Sequence, residues 1–153
     1  MVEKLDFGKE GDASEVHDVL GEYDVGRDFT SLDAWKHARE VKLFFYRKIL
    51  VSLPSEEKYA LDVQIRKAAI SITANIAEGY GRYHYKEGIQ YYRISRGSLY
   101  ELKDHLISCN DLKYIDTDLF DEGEILIETA KKLLNGYIKF VRGQLSKKNE
   151  IRK

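Results

Sequence analysis

Proline is almost missing from this chain: of 153 residues, only Pro54 is one. Proline breaks a helix interior by removing a donor and clashing with the preceding turn, so its scarcity favours long uninterrupted helices. Cysteine is equally scarce. Cys109 alone permits no internal disulfide, which makes a reducing cytoplasm the expected setting. No apolar run nears the roughly 20 residues needed to cross a bilayer, so no membrane contact is expected. The N-terminal Met1-Val2-Glu3-Lys4-Leu5-Asp6 lacks the apolar core of a signal peptide. Recognisable site chemistry is missing as well. His17, His37, His84 and His105 are scattered. Glu101 and His105 share a helix face, but bundle metal sites use Glu-x-x-His, spaced by three, with further Glu ligands on other helices. Neither phosphate-loop glycine pattern occurs. Cys109 has no partner base and falls at a core position, which suits an inert thiol. Glu78 and Glu101 form a candidate carboxylate pair, explained more simply by buried bonds to Arg66 or Arg96. The expectation is a protein that is not an enzyme and takes no metal and no cofactor.

What is present is a helix former's sequence. Residues 66–81 organise the chain. Leu61, Ile65, Ala69, Ile72 and Ile76 recur at steps of three and four, which puts them on one helical face. Ile70, Ala74 and Ala77 mark a second apolar face. A helix apolar all round is buried all round, so this second face is expected to meet another copy of the chain. Arg66, Asn75 and Glu78 interrupt the helix, and polar groups in such surroundings are costly unless paired. With Arg96 and Glu101 they are expected to form a polar network, bonding to one another or across helices.

Around this stretch the spacing predicts four helices, over about 31–52, 56–78, 85–112 and 117–145. Thr30 with Asp33 resembles a capping box for the first, whose face is Trp35, Ala38, Val41, Phe45 and Ile49, widened by Leu43 and Phe44. Pro54 ends it, and Ser55 is placed to cap the second. Gly79 is the expected left-handed residue at the close of the second helix. On the third, Tyr92, Ser95, Leu99, Leu102, Leu106 and Cys109 form a seam of alternating threes and fours. Gly97 sits mid-helix, where it costs about 1 kcal/mol against alanine, and a close helix crossing is the expected reason. Phe120, Ile127, Ala130, Leu134, Tyr137, Ile138 and Val141 face inward on the fourth. Short connections make neighbours antiparallel. The fold class is therefore all-α: an antiparallel up-down-up-down four-helix bundle over residues 29–145, with an acidic N-terminal arm, 1–28, and a basic tail, 146–153.

The net charge of −1 hides a division. Residues 1–28 hold nine acids and three bases, a net of −6, and residues 29–153 hold 22 bases and 17 acids, a net of +5. Within the arm, Val16, Leu20 and Tyr23 have helical spacing after Ser14, enough for three turns of helix when docked. The topology gathers Lys36, Arg82, Lys86, Arg142, Lys147 and Lys148 at one end of the bundle, with His37 and His84 nearby. Glu56, Glu57, Asp111, Asp116, Asp118, Asp121 and Glu122 gather at the other. Acids early and bases late in the fourth helix also suit its dipole without any function. A basic cluster of this size is a candidate site for RNA or another phosphate backbone, and Tyr80, Tyr83 and Tyr85 are candidates to stack on unpaired bases. The alternative is a protein-interaction module whose acidic arm docks on a partner or on a neighbouring subunit.

The central motif, Gln64-Ile65-Arg66-Lys67-Ala68-Ala69-Ile70-Ser71-Ile72, then Ala74-Asn75-Ile76-Ala77-Glu78-Gly79 and Gly81-Arg82, resembles the signature of the four-helix-bundle proteins encoded in intervening sequences of bacterial 23S rRNA genes. The likeness continues through Glu87, Tyr92, Ile94, Gly97-Ser98-Leu99, Glu101-Leu102 and Tyr114-Ile115, and covers roughly residues 29–145. It implies a bundle that assembles as a ring, commonly a homopentamer. Related bundles are accessory proteins of diversity-generating retroelements, thought to bind nucleic acid and a reverse transcriptase. The resemblance thus implies RNA or a nucleoprotein as partner. The chain departs from the family in three places. Thr73 stands where the family usually has proline, His84 stands where it has a serine cap, and the acidic arm is additional.

Overall fold

The computed structural model describes residues 28–152. The expectations for the acidic arm, including the Ser14 cap and the Val16–Leu20–Tyr23 face, lie outside them. Four helices form the body: α1 (Asp33–Phe44), α2 (Leu61–Gly81), α3 (Tyr85–Asp111) and α4 (Thr117–Ile151). Among the described residues there is no strand, and no helix is long and apolar enough to cross a membrane.

The helix ends show which local expectations hold. The capping box at Thr30 and Asp33 is not formed, because Leu32 occupies the cap position of α1 without a side-chain bond. Asp28 instead accepts from the Thr30 N–H at 2.9 Å and caps the single turn Phe29–Ser31. After Phe44 the chain winds on through a widened turn, Phe45–Ile49, and a tight one, Leu50–Ser52. The irregularity turns two adjacent pairs, Phe44 with Phe45 and Ile49 with Leu50, into the core together.

Ser55 does not cap α2, which starts later than its spacing suggests. Pro54 caps a separate turn, Ser55–Glu57, and the Glu57 carboxylate accepts from the Leu61 N–H at 3.2 Å. Nor does Gly79 end the helix: it is helical and buried, and Tyr83 takes the left-handed conformation with φ 49°. The His84 ring accepts weakly from the Glu87 N–H at 3.4 Å to open α3. Lys113, at φ 60°, closes α3 in a Schellman arrangement, with Tyr114 N–H on the Cys109 carbonyl at 2.9 Å and Lys113 N–H on that of Asn110 at 3.0 Å. Asp116 caps α4 through the Leu119 N–H at 2.8 Å. That helix continues past Leu145 to Ile151, so most of the basic tail is its last turns.

Cross-helix bonds fix the direction of each neighbour. Lys42 donates to Thr73 at 3.0 Å, while Arg66 stacks over the Tyr46 ring at 5.3 Å. Ser71 bonds Ser98 at 2.7 Å, and Ser95 donates to the Ile72 carbonyl at 2.6 Å. Arg96 donates to Asn135 at 3.0 Å and Lys103 to Glu128 at 2.9 Å. As numbers rise on one helix they fall on the next, so successive helices are antiparallel. The α3 seam is buried at every expected position. Thr73 accepts the Lys42 bond and directs its own hydroxyl at the Ile70 carbonyl, 3.5 Å away, in the local back-bonding open to a helical threonine.

Two packing expectations are corrected. Gly97 is exposed, and a Cβ built there meets nothing within 4 Å. The close approaches occur at Gly79, where a Cβ would lie 2.6 Å from Tyr92 and 3.0 Å from the Gly88 carbonyl, and at Gly123, 2.7 Å from Leu106. Second, α2 is not apolar all round. Gln64, Lys67, Ile70, Ala74 and Glu78 are exposed and Ala77 is half-buried. Ile70, at 53% exposure, is the one large apolar side chain among them, because Gln64, Arg66, Lys67 and Glu78 occupy the outer half of the helix.

Candidate functional site

The antiparallel order brings the starts of α1 and α3 together with the ends of α2 and α4, and with them the predicted basic cluster. Lys36, Lys86, Arg142 and Lys147 are exposed and Lys148 is half-buried. None of the five has an ion pair among the described residues. Arg82 differs: it pairs with Glu78 at 2.8 Å and donates to the Tyr91 hydroxyl at 2.7 Å, with its Cζ 5.1 Å from the centroid of that ring. The Tyr91 hydroxyl first, then the Glu78 carboxylate, hold its guanidinium above the ordinary arginine value. Arg82 is therefore a clamp between α2 and α3 more than a free cation. The tyrosines separate too. Tyr80 is 6% exposed and belongs to the interior, Tyr85 is half-buried, and Tyr83 at 52% is the open ring.

At the opposite end three of the seven predicted carboxylates are used within the fold, while Glu56, Asp111, Asp118 and Asp121 are exposed. Glu57 accepts from Tyr114 at 2.9 Å, Glu122 pairs with Lys48 at 2.7 Å, and Asp116 caps α4. The Glu57 bond holds the Tyr114 phenol above its usual range.

The expected polar network of Arg66, Asn75, Glu78, Arg96 and Glu101 is not one network. Arg66 pairs with Asp62 at 2.6 Å on its own helix. Asn75 donates to the Ser71 carbonyl and hydroxyl, both at 2.9 Å, and reaches α3 only through Ser71 and Ser98. Glu78 holds Arg82, Arg96 holds Asn135, and Glu101 lies 3.4 Å from His105. Each found a partner one helical turn away or on the facing helix. Arg66, Glu78 and Glu101 are exposed and Asn75 and Arg96 half-buried, so none required the mutual burial that an all-apolar helix would impose. The candidate pair Glu78 and Glu101 is not assembled.

Sequence reasoning missed Lys131, which it counts only among the bases late in the fourth helix. It is 8% exposed, sits 3.9 Å from the Tyr100 ring centroid and donates to Glu128 at 3.0 Å. Glu128 also accepts from Lys103, and Lys103 first, then Lys131, hold its carboxyl below the usual range. The available signal was the step of three from Glu128 to Lys131 and of four from Ile127. Cys109 is buried, and burial first, then Glu57, pushes its thiol to about 11, which leaves it protonated near neutrality. No group of three or more metal-ligating side chains forms among the described residues.

A family model described as 23S rRNA-intervening sequence protein matches residues 30–136. No curated protein matches the chain.

Proposed function

The chain belongs to the 23S rRNA-intervening sequence protein family, and from that premise we propose that it is a non-enzymatic, cytoplasmic, self-associating scaffold that holds RNA or a nucleoprotein against the basic end of its bundle. One observation carries this reading. Lys36, Lys86, Arg142, Lys147 and Lys148 converge on one end with no carboxylate paired to them, whereas Glu57, Asp116 and Glu122 at the other end are engaged in the fold. Like charges held together without partners raise the local potential and attract a polyanion.

Self-association is assigned to the outer face of α2. Ile70, Ala74 and Ala77 lie there at steps of four and three, and small side chains let a second helix come close. A ring of copies, on the pentameric plan the family resemblance implies, adds the basic ends together. A reverse transcriptase or a ribosomal particle is the kind of nucleoprotein such a ring suits.

Fluorescence anisotropy of a labelled RNA against the full chain tests the reading. Affinity falls steeply between low and moderate salt, and Lys36→Glu with Lys86→Glu, Arg142→Glu and Lys147→Glu abolishes it. Binding indifferent to salt and to these changes overturns it. Light scattering checks the assembly: the wild type is oligomeric and Ile70→Glu lowers its mass, while a monomeric wild type removes the ring.

A second reading is favoured by the charge division, −6 over residues 1–28 against +5 over the rest. On it the acidic segment docks on a partner or a neighbouring subunit, and the basic end is its receptor. Removing residues 1–28 separates the two: tighter RNA binding supports masking by that segment.

A further inference from the structure

The cations of the basic end continue up one side of the bundle. Lys86 and Arg93 stand seven residues apart on α3, two turns of one face. Lys132 and Lys139 repeat that spacing on α4, as do Asn135 and Arg142. The Arg96 bond to Asn135, 3.0 Å long, sets the register between the helices. Arg93 and Lys132, like Lys86, Lys139 and Arg142, are exposed, and none of the five has an ion pair among the described residues. No carboxylate interrupts the strip: α3 has none between Glu87 and Glu101, and α4 none between Glu128 and Glu150. From Lys86 to Tyr100 the strip is about 20 Å long at helical rise.

Each helix adds a second feature beside the strip. On α3, Gly97 lines a shallow hollow with Gln90, Arg93, Ile94, Arg96 and Tyr100, and on α4, Gly136 with Gly143 lines another with Lys139, Phe140 and Lys147. A Cβ at any of these glycines meets nothing within 4 Å, so packing within the chain does not call for them. Glycine inside a helix is disfavoured, and one established use for it is the close approach of another backbone.

We infer that the cationic strip between α3 and α4, from Lys86 and Arg142 up to Arg96 and Lys132, is a track for the phosphodiester backbone of a nucleic acid. This rests on the polyanion-binding reading above and moves most of its contact from the tip of the bundle to the side. Phosphates are complementary to this face along its whole length, whereas a second copy set strip to strip would repel. With no carboxylate in the strip, and Gln90 and the Arg96-bound Asn135 as its only amides, the track takes the strand by charge and not by sequence.

Two charge-reversed full-length chains are compared with the wild type. The side variant carries Arg93→Glu, Lys132→Glu and Lys139→Glu, and the tip variant carries Lys36→Glu, Lys147→Glu and Lys148→Glu. Probes are single-stranded RNA and single-stranded DNA of 20 nucleotides, with polyglutamate as a non-phosphate polyanion, each titrated over a range of salt. The side variant is expected to bind either nucleic acid at least about tenfold more weakly, with a salt slope lower by about two, and the tip variant to lose less. Equal loss with RNA and DNA fixes the phosphate as the shared ligand, and a larger loss with RNA adds the 2′-hydroxyl to it. Loss confined to the tip variant overturns the track and leaves the scaffold reading standing. A wild type that binds neither nucleic acid overturns both. Polyglutamate bound as tightly as RNA, through the same residues, overturns the phosphate assignment. If circular dichroism shows the side variant unfolded, Arg93→Gln with Lys132→Gln and Lys139→Gln replaces it, with the same outcomes.

Discussion

The two ends of the bundle are closed by different physics. At the acidic end, charges hold the chain together: Glu57 takes bonds from Leu61 and Tyr114, Lys48 pairs with Glu122, and Asp116 caps α4. At the basic end, the Arg82 clamp apart, shape does the holding. Gly79 and Gly88 let α2 and α3 approach until Tyr92 fills the space between them, while Lys36, Lys86, Arg142 and Lys147 stand in solvent. Charges that stabilise a fold are hard to interpret functionally, because the fold already explains them. Charges that contribute nothing to packing, gathered on one surface, call for another explanation. The contrast is therefore the ground for assigning function to one end and not the other, and it is open to experiment.

The sharpest break comes at the glycine contact. Gly79→Ala puts a Cβ 2.6 Å from Tyr92 and 3.0 Å from the Gly88 carbonyl, and backbone cannot give way as a side-chain tip can. A loss of about 2 kcal/mol is expected, read as a lower urea midpoint with an unchanged slope. A stability equal to the wild type would mean that shape does not close this end.

At the other end Glu57→Ala removes two bonds at once and should cost about 1–2 kcal/mol. It should also return the Tyr114 phenol towards its ordinary titration, visible in the ultraviolet absorbance. The phenol is held above its usual range when folded, so the folded state keeps its proton longer than the unfolded chain does. That contribution is present below about pH 10 and is lost as pH rises through the folded value. Glu57→Ala should accordingly flatten the alkaline end of the stability profile. A profile identical to the wild type would detach Glu57 from the closure of this end.

What was legible in advance follows the same division. Periodicity placed the α3 seam, from Tyr92 to Cys109, because a core helix repeats its inward face at steps of three and four whatever lies opposite. It could not say which glycine meets a neighbour. Gly97 was the expected crossing and Gly79, Gly88 and Gly123 are the real ones, since that depends on the register between helices, which a single strand of sequence does not carry. Lys131 and Arg82 were misjudged for the same reason: the ring beneath Lys131 and the hydroxyl facing Arg82 come from other turns or other helices. The outer face of α2 is less apolar than Ile70, Ala74 and Ala77 suggest, because Gln64 and Lys67 stand beside them as well as the interrupting Glu78.

Gly97→Ala sharpens the contrast from the opposite side. Nothing lies within 4 Å of the added Cβ, so the helix gains propensity without a clash, and about 1 kcal/mol of added stability is expected in the same urea measurement. One substitution type, glycine to alanine, should thus weaken the protein at Gly79 and strengthen it at Gly97. A loss at Gly97 would reveal a packing role that the exposed position hides.

The smallest effect is expected where the charges stand free. Lys147→Glu at the basic end should change stability by less than about 0.5 kcal/mol, as exposed substitutions away from specific contacts usually do. Lys48→Glu at the acidic end should cost more, because it both breaks the 2.7 Å pair with Glu122 and sets two carboxylates against each other. The difference should shrink as salt is raised, since both sites are open to screening. Melting both variants at low and high salt decides the matter. If Lys147→Glu proved the more damaging of the two, the cations of the basic end would be structural after all, and the reason for reading them as a surface for a polyanion would disappear.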